Sequence, residues 1–379
     1  MRHRQRQTPI PYGKTQTEKS VKMNNHPDPP LLMTFMWAAL YITSGVTQPI
    51  LMSLAKYAGL ANPKCQLYML FYYLGPASVT FYAIRDKQAT HTANRTMIIK
   101  AGCIATIDVM AQALNYTGAS MAGPTIFSII YSSVTVWTAL ISRLLLNRLM
   151  NLGQWMGVVL VFAGLTITGF NSVDLGPGVL SGSIFVMVGS AFHACTYVLS
   201  EAVMTKGQKL TVPMNCAVQG IVACGAFTTW QIVYTRQHFQ KDILEPMYDS
   251  GTSLSQAALL LSLFAISNLV HALTFFHTLK HFPGGATSAG VMKGLQAVLV
   301  FVTTSITFCS RLGGSEMCFT TDKFISLVVV VAGVILFAKA TEHSHKKDVR
   351  VREIAVRDAE SGHASNSAMT EETHLLTCT

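Results

Sequence analysis

Charge is what this chain has least of. Only 12% of its 379 residues are Asp, Glu, Lys or Arg, against 50% hydrophobic ones. Soluble domains carry about 25% charged residues, so a large soluble core is disfavoured and a chain that crosses a membrane many times is indicated. Chemical motifs are missing too. There is no Walker A loop, no G-x-S-x-G elbow, no H-E-x-x-H helix and no pair of intramembrane aspartates, which argues against an ATP-driven pump and against hydrolytic catalysis. None of the eight cysteines stands in a C-x-x-C pair, leaving a structural zinc site without support. His271 and His277 point to different helix faces and His281 is expected in a loop, which sets a metal-transport reading aside. No catalytic residue, metal or cofactor is expected. The formal net charge is +10, yet no basic patch alternates with aromatics as nucleic-acid platforms require, so nucleic acid is excluded as a partner.

What is present is a series of apolar runs, nearly all long enough to cross a hydrocarbon core of about 30 Å. They cover 31–55, 66–84, 97–115, 121–146 and 154–170, then, after a link holding Asp174, Gly176 and Pro177, 178–200, 212–234, 254–276, 286–310 and 323–340. The fold class expected is an all-α integral membrane protein with ten transmembrane helices. With the termini inside, the cytoplasmic segments hold twenty Lys and Arg against six outside, which puts both ends in the cytosol. The sequon at Asn94 then faces the cytosol and stays unmodified. Residues 1–30 have no signal-peptide core and read as a disordered cytosolic tail; residues 341–379 read as a second one. Cys309 and Cys318 flank one outer loop, where a bridge is chemically allowed. Pro49, after Ser44-Gly45, and Gly75-Pro76 lie inside spans, as a break lining a cavity or as a plain kink. Ala119-Ser-Met-Ala-Gly123 aligns with Ala286-Thr-Ser-Ala-Gly290, and Gly164 with Gly333, so residues 31–170 and 178–340 read as two repeats of five helices. An odd number of crossings inserts the second repeat inverted, with a site near the midplane.

Residues 113–170 carry a more specific pattern, AL-x-Y…AS-x-A…TAL-x-SRLLL-x-RL…Q-x-x-G-x-x-L-x-x-x-G. It resembles the fourth and fifth helices of the drug/metabolite transporter superfamily, which contains EamA-type carriers, nucleotide-sugar transporters and triose-phosphate translocators. The resemblance implies a carrier of two inverted five-helix repeats and does not name a substrate.

Ionisable groups inside membrane helices are costly and face the bundle interior. Five qualify: Lys100, Asp108, His193, His271 and Lys293. Lys100 lies near the cytoplasmic end and snorkels to the headgroups. Asp108 shares a face with Gln112 and Asn115, as a structural partner or a proton-coupling carboxylate. Ser190, His193, Tyr197 and Glu201 form a second stripe, with Glu201 expected as a solvated charge at the cytoplasmic surface. Asn268 and His271 make a third, and Tyr41, Ser44 and Gln48 a fourth, with Tyr131 nearby; tyrosines suit stacking on bases or sugars, although most serve packing. The strongest signal is Lys293 with Gln296 in an otherwise apolar span. At the bilayer centre an ammonium costs about 2.5–3.5 kcal/mol or more, so it needs an anion: Asp108, or a substrate phosphate or carboxylate. By resemblance, Lys293 matches the lysine that many nucleotide-sugar and triose-phosphate carriers set against substrate phosphate, although a GALNK stretch is absent. The substrate-binding set is therefore Lys293, Gln296, Tyr41, Gln48, Tyr131, His193, Tyr197, Asn268 and His271.

The function expected is secondary transport of a small polar, anionic metabolite of the nucleotide-sugar or phosphorylated-sugar class by alternating access. The alternatives are proton-coupled export of amino acids or organic cations and, more remotely, an intramembrane enzyme or receptor-like scaffold using Asp108 and His193. Glu371 with Leu375 and Leu376 resembles an acidic dileucine signal read by clathrin adaptors, pointing to lysosome, vacuole or endosome ahead of Golgi. Besides the solute, the bilayer and those adaptors, a homodimer is left open as a partner state.

Overall fold

The computed structural model of the protein describes residues 31–375 apart from 63, 87–93, 123–126, 128–129, 132, 171–176, 208, 310–317 and 319. Among the described residues all regular structure is helical. The first half contributes α1 (Leu31–Tyr57), α2 (Leu67–Ser78, carried on by Thr80–Arg85), α3 (Arg95–Ala122), α4 (Val134–Leu146) and α5 (Leu152–Phe170). The second contributes α6 (Pro177–Thr205), α7 (Val212–Trp230), α8 (Leu254–His281), α9 (Ala286–Phe308) and α10 (Thr321–Leu375). Eight of the helices are long and apolar enough to cross a membrane, and Val134–Leu146 and Leu152–Gly164 are shorter apolar helices. Ten crossings and inverted repeats stay expectations of the sequence beside that observed set.

Local chemistry starts the helices where they start. Asn151 and Gln154 satisfy each other's backbone N–H groups at the head of α5, at 2.8 and 2.9 Å, a reciprocal cap of the Ser/Thr-x-x-Glu/Gln kind. The same two side chains then reach the backbone oxygen of Ala340 and the hydroxyl of Thr341, fixing α5 to α10. Ser253 and Gln256 form a capping box on α8, and Thr211 caps α7.

Two helices run past their expected ends. α7 continues through two π-helical turns, Gln231–Thr235 and Gln240–Leu244, as far as Asp249. Its 38 residues make a rod of roughly 55 Å at 1.5 Å per residue, well beyond a membrane's apolar thickness. Trp230, Gln231 and Thr235 donate hydrogen bonds to the carbonyls of Lys64 and Cys65, clasping the α1–α2 loop to this rod. Burial there, with Asp242 beside it, pushes the Cys65 thiol above its usual range, so it stays protonated and unreactive near neutral pH. α10 continues to Leu375, where a disordered tail from residue 341 was expected. From 341 to 375 the chain has no proline and the single glycine Gly362, and Glu342 pairs with Lys346 one turn on; nothing breaks the helix and charged neighbours support it. Glu371 and Leu375 of the dileucine pattern fall on this helix, whereas Leu376 and the tail 1–30 lie outside the described residues. Cys309 and Cys318 are joined as a disulfide.

Packing interleaves the two halves. α3 lies along α6, α5 along α10, α2 against α7 and α8, α1 against α8 and α9, and α4 against α6 and α9. Pro49 sits inside α1 and Pro76 inside α2, the latter three residues before the helix is interrupted at Val79. Pro76 cannot donate to the carbonyl of Tyr72 four residues back; Asn268 on α8 donates to that oxygen instead, at 2.8 Å. One residue before the proline, a Cβ on Gly75 would lie 2.1 Å from the backbone oxygen of Ala265. Gly75→Ala is therefore expected to lower thermal stability by about 1–3 kcal/mol, read as a shift in the unfolding temperature of detergent-purified protein. An unchanged transition would mean that α2 and α8 do not touch there.

Candidate functional site

Six helices turn polar side chains toward one another in the interior of the bundle, where they form two linked groups.

The first surrounds Lys293, seven residues or about 10 Å of helix rise inside the start of α9. Its ammonium lies 3.0 Å from Nε2 of His271 on α8 and 5.8 Å from the centre of the Tyr41 ring on α1. An ammonium only donates, so Nε2 of His271 accepts and Nδ1 carries the hydrogen. Nδ1 then donates to Ser44 Oγ at 3.1 Å, and that hydroxyl donates to the carbonyl of Tyr41. Gln296 fixes the same carbonyl from α9 at 2.8 Å. Tyr41 stacks on the His271 ring with centroids 5.1 Å apart. Just beyond, Gln48 donates to Asn268 Oδ1 and accepts from the Tyr72 hydroxyl.

The second group centres on His193 of α6. Asp108 of α3 holds Oδ1 3.4 Å from His193 Nε2 and accepts the Tyr73 hydroxyl on Oδ2 at 2.6 Å. On the other side of the imidazole, Asn115 Nδ2 lies 3.1 Å from Nδ1 and the Tyr131 hydroxyl 3.2 Å from it. Aromatic rings connect the two groups: Tyr41 stacks on Phe275, Phe275 meets Tyr197 edge-on at 4.6 Å, and Tyr197 stacks on His193.

The electrostatics are uneven. Among the described residues the ion pairs are Arg148–Glu201, His193–Asp108 and Lys346–Glu342. Lys293 thus has no carboxylate within ion-pair distance, and its hydrogen-bond partner is a neutral imidazole. Asp108, the fixed counter-ion the sequence offered for it, is engaged by Tyr73 and His193 instead. Both charged groups keep some accessible surface; the Asp108 side chain is 24% exposed.

The nine substrate-binding residues expected from the sequence (Tyr41, Gln48, Tyr131, His193, Tyr197, Asn268, His271, Lys293 and Gln296) and Asp108 fall within these two groups. Lys100 is exposed. His281 ends α8 instead of lying in a loop, and stacks on His277; among the described residues no three metal-capable side chains gather. Tyr72, Tyr73 and Phe275 were missed. The signal available for the two tyrosines was their position three and four residues before Pro76.

Glu201 is not the solvated surface charge expected. Its side chain is 3% exposed and accepts Arg148 Nη2 at 2.6 Å and the backbone N–H of Ala286 at 2.6 Å. Arg148 comes from the α4–α5 connector, turned inward after Asn147 adopts the left-handed conformation that ends α4. It also donates to the carbonyl of Gly284. A carboxylate at the first N–H of α9 is favoured by the helix dipole. Gly285, at φ +48°, leaves room for it: a Cβ there would lie 2.3 Å from the carboxyl carbon.

Residues 31–170 match the family model described as the EamA-like transporter family. A solved structure described as "Crystal structure of protein" aligns with a TM-score of 0.59 over 81% of this chain and 98% of its own, at 12% identity, a likeness of fold alone. It is one of 28 solved chains that match. No curated protein matches.

Proposed function

We propose, from the premise that residues 31–170 are an EamA-like unit of the drug/metabolite transporter superfamily, that this multi-pass membrane protein is a secondary carrier whose Lys293 receives the anionic group of a small polar metabolite. The family consists of transporters of small solutes and not of enzymes, which supports the coarse reading. One observation carries the finer one: Lys293 is a charge inside an apolar helix whose hydrogen-bond partner is neutral. A charge at that depth is costly unless paired, and the nearest intramembrane carboxylate is already held by a hydroxyl and an imidazole. A solute phosphate or carboxylate supplies the missing partner. Sugar phosphates and nucleotide sugars carry such a group.

The test is counterflow into proteoliposomes without ATP, using inorganic phosphate, glucose 6-phosphate, UDP-glucose and glutamate against glucose and tetraphenylphosphonium. At least one anion is expected to enter chemically unchanged and to be accelerated by the same anion inside. Uptake of the cation with none of the anions would overturn the anion reading, and favour export of organic cations.

A further inference from the structure

The second group holds a buried acceptor with nothing to accept. Asn115 presents Nδ2 to His193 while its Oδ1, fully enclosed, has no hydrogen-bond partner. An unpaired buried amide oxygen costs about 1–3 kcal/mol, so its retention needs an explanation. Gly189 of α6 makes the space for it: a Cβ there would lie 2.6 Å from that oxygen.

The imidazole supplies the explanation. With Asn115 donating to Nδ1, that nitrogen is an acceptor and Nε2 carries the hydrogen, pointing at Asp108 Oδ1. This is the neutral tautomer. If the Asn115 amide turns over about its terminal bond, Oδ1 replaces Nδ2 opposite Nδ1. The unpartnered oxygen then becomes the acceptor for a hydrogen on Nδ1, while Nε2–H stays on Asp108. Asp108 and Asn115 thus satisfy His193 in both protonation states, and the carboxylate lies where the imidazolium charge needs it.

We propose that His193, with Asp108 and Asn115, is a proton-binding site through which a proton travels with the anionic solute. The proton is supplied by hydronium from the bathing solution: one of its O–H bonds breaks as the N–H bond forms at the Nδ1 lone pair, and neutral water leaves. Charge balance links the two ligands. Without either, Lys293 and Asp108 cancel; a monoanion at Lys293 leaves a net negative interior, and a proton on His193 restores neutrality. Each ligand therefore favours the other. The groups facing His193 fit this assignment. Asp108 and Asn115 come from α3, Tyr131 from the stretch just before α4, Tyr197 from its own helix and Tyr73 from α2 through Asp108. From α8 and α9, His271 and Lys293 stand behind Phe275 and Tyr41; α7 reaches α6 through Gln219 and Ser200. Asp108 is the one carboxylate among them.

The coupling rests on the carrier reading above, but the proton site does not, and the experiment separates them. In nanodiscs, 15N-histidine-labelled protein is expected to show one imidazole signal, absent from His193→Gln, that passes from the Nε2–H pattern to the doubly protonated one as the buffer is taken from alkaline to acidic. In Asn115→Leu a more acidic buffer should be needed for that change, since the acceptor for the imidazolium is gone. In proteoliposomes loaded with pyranine, entry of whichever anion the counterflow panel identifies should acidify the lumen, and His193→Gln should bring the protons moved per solute close to zero. A His193 signal unchanged across that range overturns the site. Anion entry without acidification overturns the coupling. If no panel anion enters, the carrier reading fails while the titration still decides the site.

Discussion

Lys293→Ala is expected to reduce uptake of the identified anion roughly 100-fold, the counterpart of about 3 kcal/mol lost when one member of a desolvated charge pair is truncated. The protein should still purify as a monodisperse species, because the lysine anchors no other helix through a charge: its described hydrogen bond goes to His271, which Ser44 and Tyr41 hold independently. Lys293→Arg should fail nearly as badly. A planar guanidinium needs room for its fork, and the position sits against an imidazole at 3.0 Å with the Tyr41 ring on another side. Adding Asp108→Asn to Lys293→Ala should not restore uptake, since those two residues are not an ion pair here. Normal anion uptake by Lys293→Ala would remove the lysine from the mechanism, and rescue in the double variant would show that it serves Asp108 structurally.

Removing Arg148 should have the largest effect on stability. Arg148→Ala strands the Glu201 carboxylate, 3% exposed, with a single backbone N–H as partner, and breaking a buried pair in this way costs about 3–5 kcal/mol. Glu201→Gln should cost less, because a neutral amide oxygen can still accept from Ala286 and Arg148 is exposed enough to be hydrated. Exchanging both for apolar residues should recover part of the loss, for the penalty lies in the unpaired charge and not in the missing contact. Thermal unfolding in one detergent, compared across the four proteins, tests the order. Equal transitions for wild type and Arg148→Ala would show that this end of the bundle is held by packing alone.

These two sites show which interior placements could be read from the sequence and which could not. Lys293, Asp108, His193 and His271 were legible because a charged or titratable residue within an apolar helical run has few bland explanations. The side chains around them followed from helical spacing, as with Tyr41, Ser44 and Gln48. Glu201 was misjudged for the complementary reason. It ends an apolar run, which reads as a water-facing position, and its partner is 53 residues away in another connector; hydropathy says where a helix ends and not which other ends converge there. Whether Asp108 pairs with Lys293 was likewise a matter of distance, which no spacing along one chain encodes. The overlong α7 and α10 were missed because span-finding looks for apolar residues, and both extensions are polar helix.

The interleaved packing has a mechanical consequence. If residues 31–170 and 178–340 rocked against each other as two solid blocks, the motion would tear the most extensive contacts in the molecule: α3 from α6, α5 from α10, and α2 from α7 and α8. The softer seam runs elsewhere. α1, α2, α7 and α8 hold together through their own packing and the Cys65 clasp, while α4, α5, α9 and α10 hold together through theirs. α3 and α6 lie between, with Asp108 and His193 upon them. Any motion that spared those contacts would carry pieces of both halves of the sequence together and turn about the helix pair between them.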